Sequence, residues 1–103
     1  MQIAIASTDG DTVNEHFGKA ERFLIYDCTE ARLTLLGIQP VVPLSTGDPQ
    51  HPFDPERMAA TIAALKGCAR VYCTRIGERP QQELERAGIA LVVTTGPIAD
   101  LRA

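Results

Sequence analysis

Side chains able to do chemistry gather in two short stretches of this sequence. The first is Asp9-Gly10-Asp11-Thr12-Val13-Asn14-Glu15-His16-Phe17-Gly18-Lys19-Ala20, a polar segment between two apolar runs. His16 can bind a metal through an unprotonated ring nitrogen, and Asn14 beside it offers both a donor and an acceptor. Gly10 and Gly18 permit tight turns around them, and Phe17 supplies an apolar surface. Ordinary connections run to about 4–6 residues, so a longer one with these residue types is a candidate binding loop. A plainer role stays open, with Phe17 plugging the core and His16 capping a backbone group. The second stretch is Cys73-Thr74-Arg75-Ile76-Gly77-Glu78-Arg79. It joins a soft thiol to two guanidinium groups around a glycine, a set suited to an anionic or metal-bearing guest.

The elements that must position these stretches follow from hydrophobic patterning. Gln2 to Thr8 alternates Ile3 and Ile5 with Ala4 and Ala6, which predicts a strand whose small-residue face admits a closely packed helix. Arg22 to Thr29 predicts a second strand, apolar on both faces at its centre, and a turn at Thr29-Glu30-Ala31 leads into an antiparallel third strand, Arg32 to Ile38. Five of the seven prolines fall between Gln39 and Pro55, so residues 39–54 read as a flexible crossover, with His51 in a solvent role. Asp54 as N-cap and Pro55 in the first turn open a helix that runs to Lys66 and stops at Gly67. Ala69 to Thr74 is the fourth strand, Pro80 opens a second helix ending at Gly88, and Ile89 to Thr94 is the fifth strand. Thr95-Gly96-Pro97 then starts a final helical turn toward Ala103.

The order β-β-β-α-β-α-β-α predicts an α/β fold, a five-stranded mixed sheet with helices on both faces. Right-handed crossovers make strands one, four and five parallel and leave two and three as an antiparallel edge, the ribonuclease H-like order 3-2-1-4-5. Ligands of open α/β sheets bind beyond the carboxyl ends of the parallel strands. That rule brings the His16 loop, after strand one, beside Cys73 and Arg75 at the end of strand four. The expected binding set is therefore Asn14, His16, Phe17, Gly18, Arg75 and Gly77, with His16 and Cys73 as metal ligands. Arg75 and Arg79 precede the amino terminus of the second helix, which favours anions. Cys68 would lie about 16 Å from Cys73 along the strand, and Cys28 falls at the opposite edge, so both read as buried fillers.

Composition narrows the functional classes. A chain of 103 residues suits a single domain, residues 1–103. Three cysteines, an odd number, fit reduced thiols, and no apolar run approaches the roughly 20 residues of a membrane span. Met1-Gln2-Ile3 lacks a charged start, so a cytoplasmic location without membrane contact is expected. A net charge of −3 without a visible basic face argues against a nucleic-acid partner. Cys-x-x-Cys, His-Glu-x-x-His and Gly-x-x-x-x-Gly-Lys patterns are absent. One histidine and one cysteine can hold an exchangeable guest but cannot build a closed four-ligand zinc site. A nuclease centre would require convergent carboxylates, whereas Asp9 and Asp11 lie in the loop and Asp27 near the far end of strand two.

The run from Val13 through His16-Phe17-Gly18 to Asp27 resembles the dinitrogenase iron–molybdenum cofactor biosynthesis family, which includes NifX, the NafY core and the carboxyl-terminal domain of NifB. The segment Ile62 to Cys73, with Ile76-Gly77 and Gly88-Ile89, is similar to the NifX branch in particular. The resemblance covers nearly the whole chain. It implies a ribonuclease H-like fold without nuclease activity, acting as a non-enzymatic carrier. Such a carrier would bind an iron–sulfur cluster precursor of the NifB-co type, or the finished cofactor. It would pass its cargo between the NifB enzyme, the NifEN scaffold and apo-dinitrogenase, as a monomer or weak dimer. The family's functional histidine maps onto His16. The alternatives are a regulatory or protein-interaction module of the same fold without cluster binding, and a metal-dependent nuclease.

Overall fold

A computed structural model describes residues 1–30, 32–44 and 54–101. Its elements in chain order are β1 (Gln2–Ala6), β2 (Thr12–Val13), β3 (Arg22–Thr29), β4 (Arg32–Pro40), α1 (Pro55–Ala64), β5 (Cys68–Cys73), α2 (Glu78–Arg86), β6 (Ala90–Val93) and β7 (Gly96–Pro97). Five strands form one mixed sheet in the order β4-β3-β1-β5-β6. β1 pairs antiparallel with β3 and parallel with β5, so it is the strand at which direction changes. β2 and β7 pair with each other as a separate two-stranded ribbon.

Strand alternation sorts side chains into two cores. Ala4 and Ala6 of β1, Phe23 of β3, and Val71 and Cys73 of β5 share one cluster with Met58 and Leu65 from α1 and its end and Leu84 of α2. The small alanines let the helices approach the sheet closely. Ile3, Ile5, Leu24 and Tyr72 face the other way and pack with Val13 of β2 and Ile98. Both α-helices thus cover the same face, which corrects the expectation of helices on both. The opposite face is closed by the ribbon and by a 3-10 turn, Ile98–Asp100, whose buried Val13 and Ile98 take the place of a helical layer.

Local chemistry explains where elements begin and end. The Asp54 carboxylate accepts hydrogen bonds from the N–H groups of Glu56 (2.9 Å) and Arg57 (3.3 Å), and Pro55 occupies the first helical position. α2 starts at Glu78, two residues before the expected Pro80. A first-turn residue has no intrahelical acceptor for its N–H, so proline at the third position costs no hydrogen bond. Gly67 and Gly88 follow the helix ends with φ of 94° and 77°, in the left-handed region. The helical turn expected after Thr95-Gly96-Pro97 is present as a 3-10 turn rather than an α-helix among the described residues. Gly96 at φ 116° and Pro97 build β7 ahead of it.

β4 extends to Pro40, beyond the expected end at Ile38, because an edge strand tolerates a residue without an N–H. Within the proline-rich stretch, the Val41 N–H donates to the Glu21 carbonyl at 3.0 Å and Leu44 is buried. The remainder, residues 45–53 with His51, lies outside the described residues.

The cap on α1 gives a direct test. Asp54→Ala should destabilise the protein by about 1 kcal/mol, lowering the urea midpoint at unchanged m-value.

Candidate functional site

The loop after β1 is organised by one carboxylate. Asp9 Oδ1 accepts from the Asp11 N–H (2.8 Å), the Thr12 N–H (2.9 Å) and the Ser7 hydroxyl (3.1 Å). Its Oδ2 accepts from the Thr12 hydroxyl at 2.7 Å and from the Asn14 amide at 3.3 Å. These donors, led by the Asp11 N–H, hold the Asp9 carboxyl well below the usual carboxylate range. Asn14 also accepts the Thr8 N–H at 2.8 Å and donates to the Thr8 hydroxyl at 2.8 Å. These bonds brace the loop, and Asn14 is not among the residues that line the groove at the carboxyl edge of the sheet.

The next residues are pinned to the end of β5. The Thr74 N–H donates to the Glu15 carbonyl at 3.0 Å, and the Phe17 N–H donates to the Arg75 carbonyl at 2.8 Å. His16 and Arg75 form a parallel bridge, so the loop continues the sheet for one residue beside the strand end. Phe17 is buried and packs its ring on Phe23 with centroids 5.5 Å apart and planes at 48°. It anchors the loop in the core, where no guest can reach it. Residues 17–19 form a 3-10 turn in which the Lys19 N–H donates to the His16 carbonyl at 3.1 Å.

This pinning leaves an open groove of about 260 Å³ at the carboxyl edge of the sheet, lined by His16, Gly18, Lys19, Arg75, Ile76 and Gly77. Of the expected set it brings together His16, Gly18, Arg75 and Gly77. Lys19 and Ile76 were not foreseen. For Lys19 a signal existed, because residues three apart on a 3-10 turn eclipse one another, and His16 and Lys19 have that spacing. No carboxylate is among the lining residues within the described chain, so the groove can offer an imidazole ligand together with two positively charged side chains.

Cys73 sits at this edge but does not open onto it. The residue is 0% exposed and shares the helix-facing core with Val71. Burial pushes its thiol up to about 11, partly offset by the N–H groups of Arg75 and Phe17. A buried thiol that is hard to ionise packs beneath the loop in this state, so His16 is the expected metal ligand that lines the groove. Cys28 and Cys68 are buried as well. Arg79 lines a different groove, between α1 and α2 with Met58 and Ile62, and so parts from Arg75. Asp27 receives the Met1 amino group at 3.2 Å beside the start of β1, at the opposite end of the sheet from Asp9. Among the described residues no three His, Cys, Asp or Glu side chains gather to hold a metal ion. Nor is any helix among them long and apolar enough to cross a membrane.

Fold and site together define a small α/β domain with a cationic, histidine-bearing groove at the carboxyl edge of a mixed sheet. By its match over residues 1–102, the chain belongs to the dinitrogenase iron-molybdenum cofactor family. It is 36% identical to the FeMo cofactor biosynthesis protein NifB of Azotobacter vinelandii, over 84% of this chain and 17% of that protein. It is 32% identical to NifX of Klebsiella pneumoniae, over 86% of this chain and 53% of that protein. The chain thus spans less than a fifth of that NifB and about half of that NifX. The solved structure of PH0822 shares the fold, with a TM-score of 0.71, 24% identity and coverage of 97% of this chain and 83% of that one.

Two outcomes follow from the geometry. A carboxyl whose pKa is lowered by folding stabilises the native state above its unfolded pKa and loses that contribution as pH falls through the folded value. The urea midpoint should therefore fall as pH drops below about 4, and Asp9→Asn should flatten part of that decline. Thiol labelling of the native protein should leave Cys73 the slowest of the three cysteines, with full reaction only in denaturant.

Proposed function

We propose that this domain is a non-enzymatic carrier that seats an anionic iron–sulfur cluster precursor of the nitrogenase cofactor, of the NifB-co type, or the finished cofactor, in the His16 groove. The observation that carries this reading is the groove itself, lined by His16 together with Lys19 and Arg75 and by no carboxylate among the described residues. Iron in such a cargo takes one ring nitrogen of His16, while the two cations offset its negative charge. A single protein ligand on an open surface suits a guest that must leave again. The groove also leaves most of the guest facing outward, toward whichever protein receives it.

Family membership and the NifB and NifX relatives support a role in nitrogenase cofactor assembly, and the exchange partners we propose for the carrier are the NifB enzyme, the NifEN scaffold and apo-dinitrogenase. We read the sheet as ribonuclease H-like in ancestry and the domain as cytoplasmic. A nuclease mechanism gains no support, because Asp9 is committed to loop donors and Asp27 lies at the other end of β1.

A second reading, a protein-interaction module without cluster binding, is favoured by one feature. Leu35, Leu36 and Ile38 are each more than half exposed on the edge strand β4. Such a module would associate with a partner and show no cluster absorbance.

The test is anaerobic titration of the purified domain with isolated NifB-co, followed by absorbance and iron analysis. His16→Ala should weaken uptake at least about tenfold, the range for losing a metal-site residue, with circular dichroism and thermal midpoint unchanged. Equal uptake by the variant would refute the proposal.

A further inference from the structure

We infer that Lys19 sets the charge selectivity of the groove, and that its guest is a compact anion carrying at least two negative charges. This rests on the reading of the groove as the guest's seat, and it adds a selectivity role for Lys19 and a minimum charge for the guest.

The parallel bridge between His16 and Arg75 holds those residues side by side, and the 3-10 turn from Phe17 to Lys19 carries Lys19 back over His16. The Lys19 N–H to His16 carbonyl bond at 3.1 Å fixes that return. Three nitrogen-bearing side chains thereby border one space of about 260 Å³, floored by Ile76 and two glycines. Whole-chain charge is −3, so this is a local reversal of sign rather than part of a general basic surface.

The nearby carboxylates lie outside that space. Glu15 spends Oε1 on the His16 N–H at 2.8 Å. Glu15 and Glu21 line an adjoining pocket of about 220 Å³, which shares Lys19 with the groove. Arg22 in that pocket donates to the Thr8 carbonyl at 2.7 Å, leaving Lys19 as the cation common to both spaces. Glu78 is exposed at the first position of α2, outside the lining. The flexible Lys19 stem can swing its ammonium toward a guest, whereas the Arg75 guanidinium meets it with a planar fork. A monoanion can satisfy one of these arms. A dianion engages both at once, and its attraction to each is doubled.

The probe is inorganic sulfate, a compact dianion, compared with nitrate in amide-resolved NMR titrations of the domain at low ionic strength. Sulfate should shift the amides of Gly18, Lys19, Ile76 and Gly77 saturably, with nitrate producing a much weaker response. Lys19→Gln should weaken sulfate binding by about threefold, the scale of one exposed ionic contact, and Lys19→Arg should restore it. Added salt should weaken the wild type more than the glutamine variant. The inference is overturned by the absence of saturable shifts at these amides, by equal responses to the two anions, or by a Lys19→Gln variant that binds like wild type. Because no iron enters this titration, its failure is separate from failure of His16 to hold a cluster.

Discussion

The pairing of the His16 segment with the end of β5 is the constraint on which the site depends. Two backbone hydrogen bonds, from Thr74 to Glu15 and from Phe17 to Arg75, turn a loop into an added residue of sheet. Each bond alone is worth only about 1 kcal/mol net. Their position matters more than their strength, because Phe17 is driven into the core between them and cannot follow an alternative register without exposing its ring. His16, one residue earlier in a chain of alternating orientation, is then held at the surface by the same anchor that buries its neighbour.

This arrangement separates support from chemistry. Asp9, Asn14, Phe17 and Cys73 all look like functional residues in composition, and all are spent on holding the loop. The groups left facing outward are His16, Lys19 and Arg75. A carrier benefits from that division, since a seat formed on a rigid sheet edge needs little ordering when its cargo arrives. Packing both α-helices on the Ala4 and Ala6 face stiffens the strand ends without covering the groove.

Much of this was legible in the residues. Alternation in Ile3-Ala4-Ile5-Ala6, the Asp54-Pro55 helix start and the glycine at 67 carry strong local physics, and the α/β class with its five-stranded mixed sheet follows from them. The edge meeting of His16 with Arg75 and Gly77 follows from strand direction. The β2–β7 ribbon was hidden, because strands of two residues have no periodicity and one of them is Gly-Pro. Which face the helices cover depends on long-range closure rather than on either helix. Cys73 lies at the expected strand end, and its burial is a matter of which face it occupies. It lies two residues from Val71, so strand alternation puts both on the helix-facing side, while proximity along the chain made the thiol look like a partner of His16.

The central claim, that His16 is the ligand in the groove, is tested most directly by pulsed electron paramagnetic resonance of the cluster-loaded protein in which histidine alone carries nitrogen-15. The account predicts coupling of the cluster spin to an imidazole nitrogen-15, retained when His51 is replaced by alanine. A loaded protein without histidine coupling, or one whose coupling disappears with His51, would contradict it.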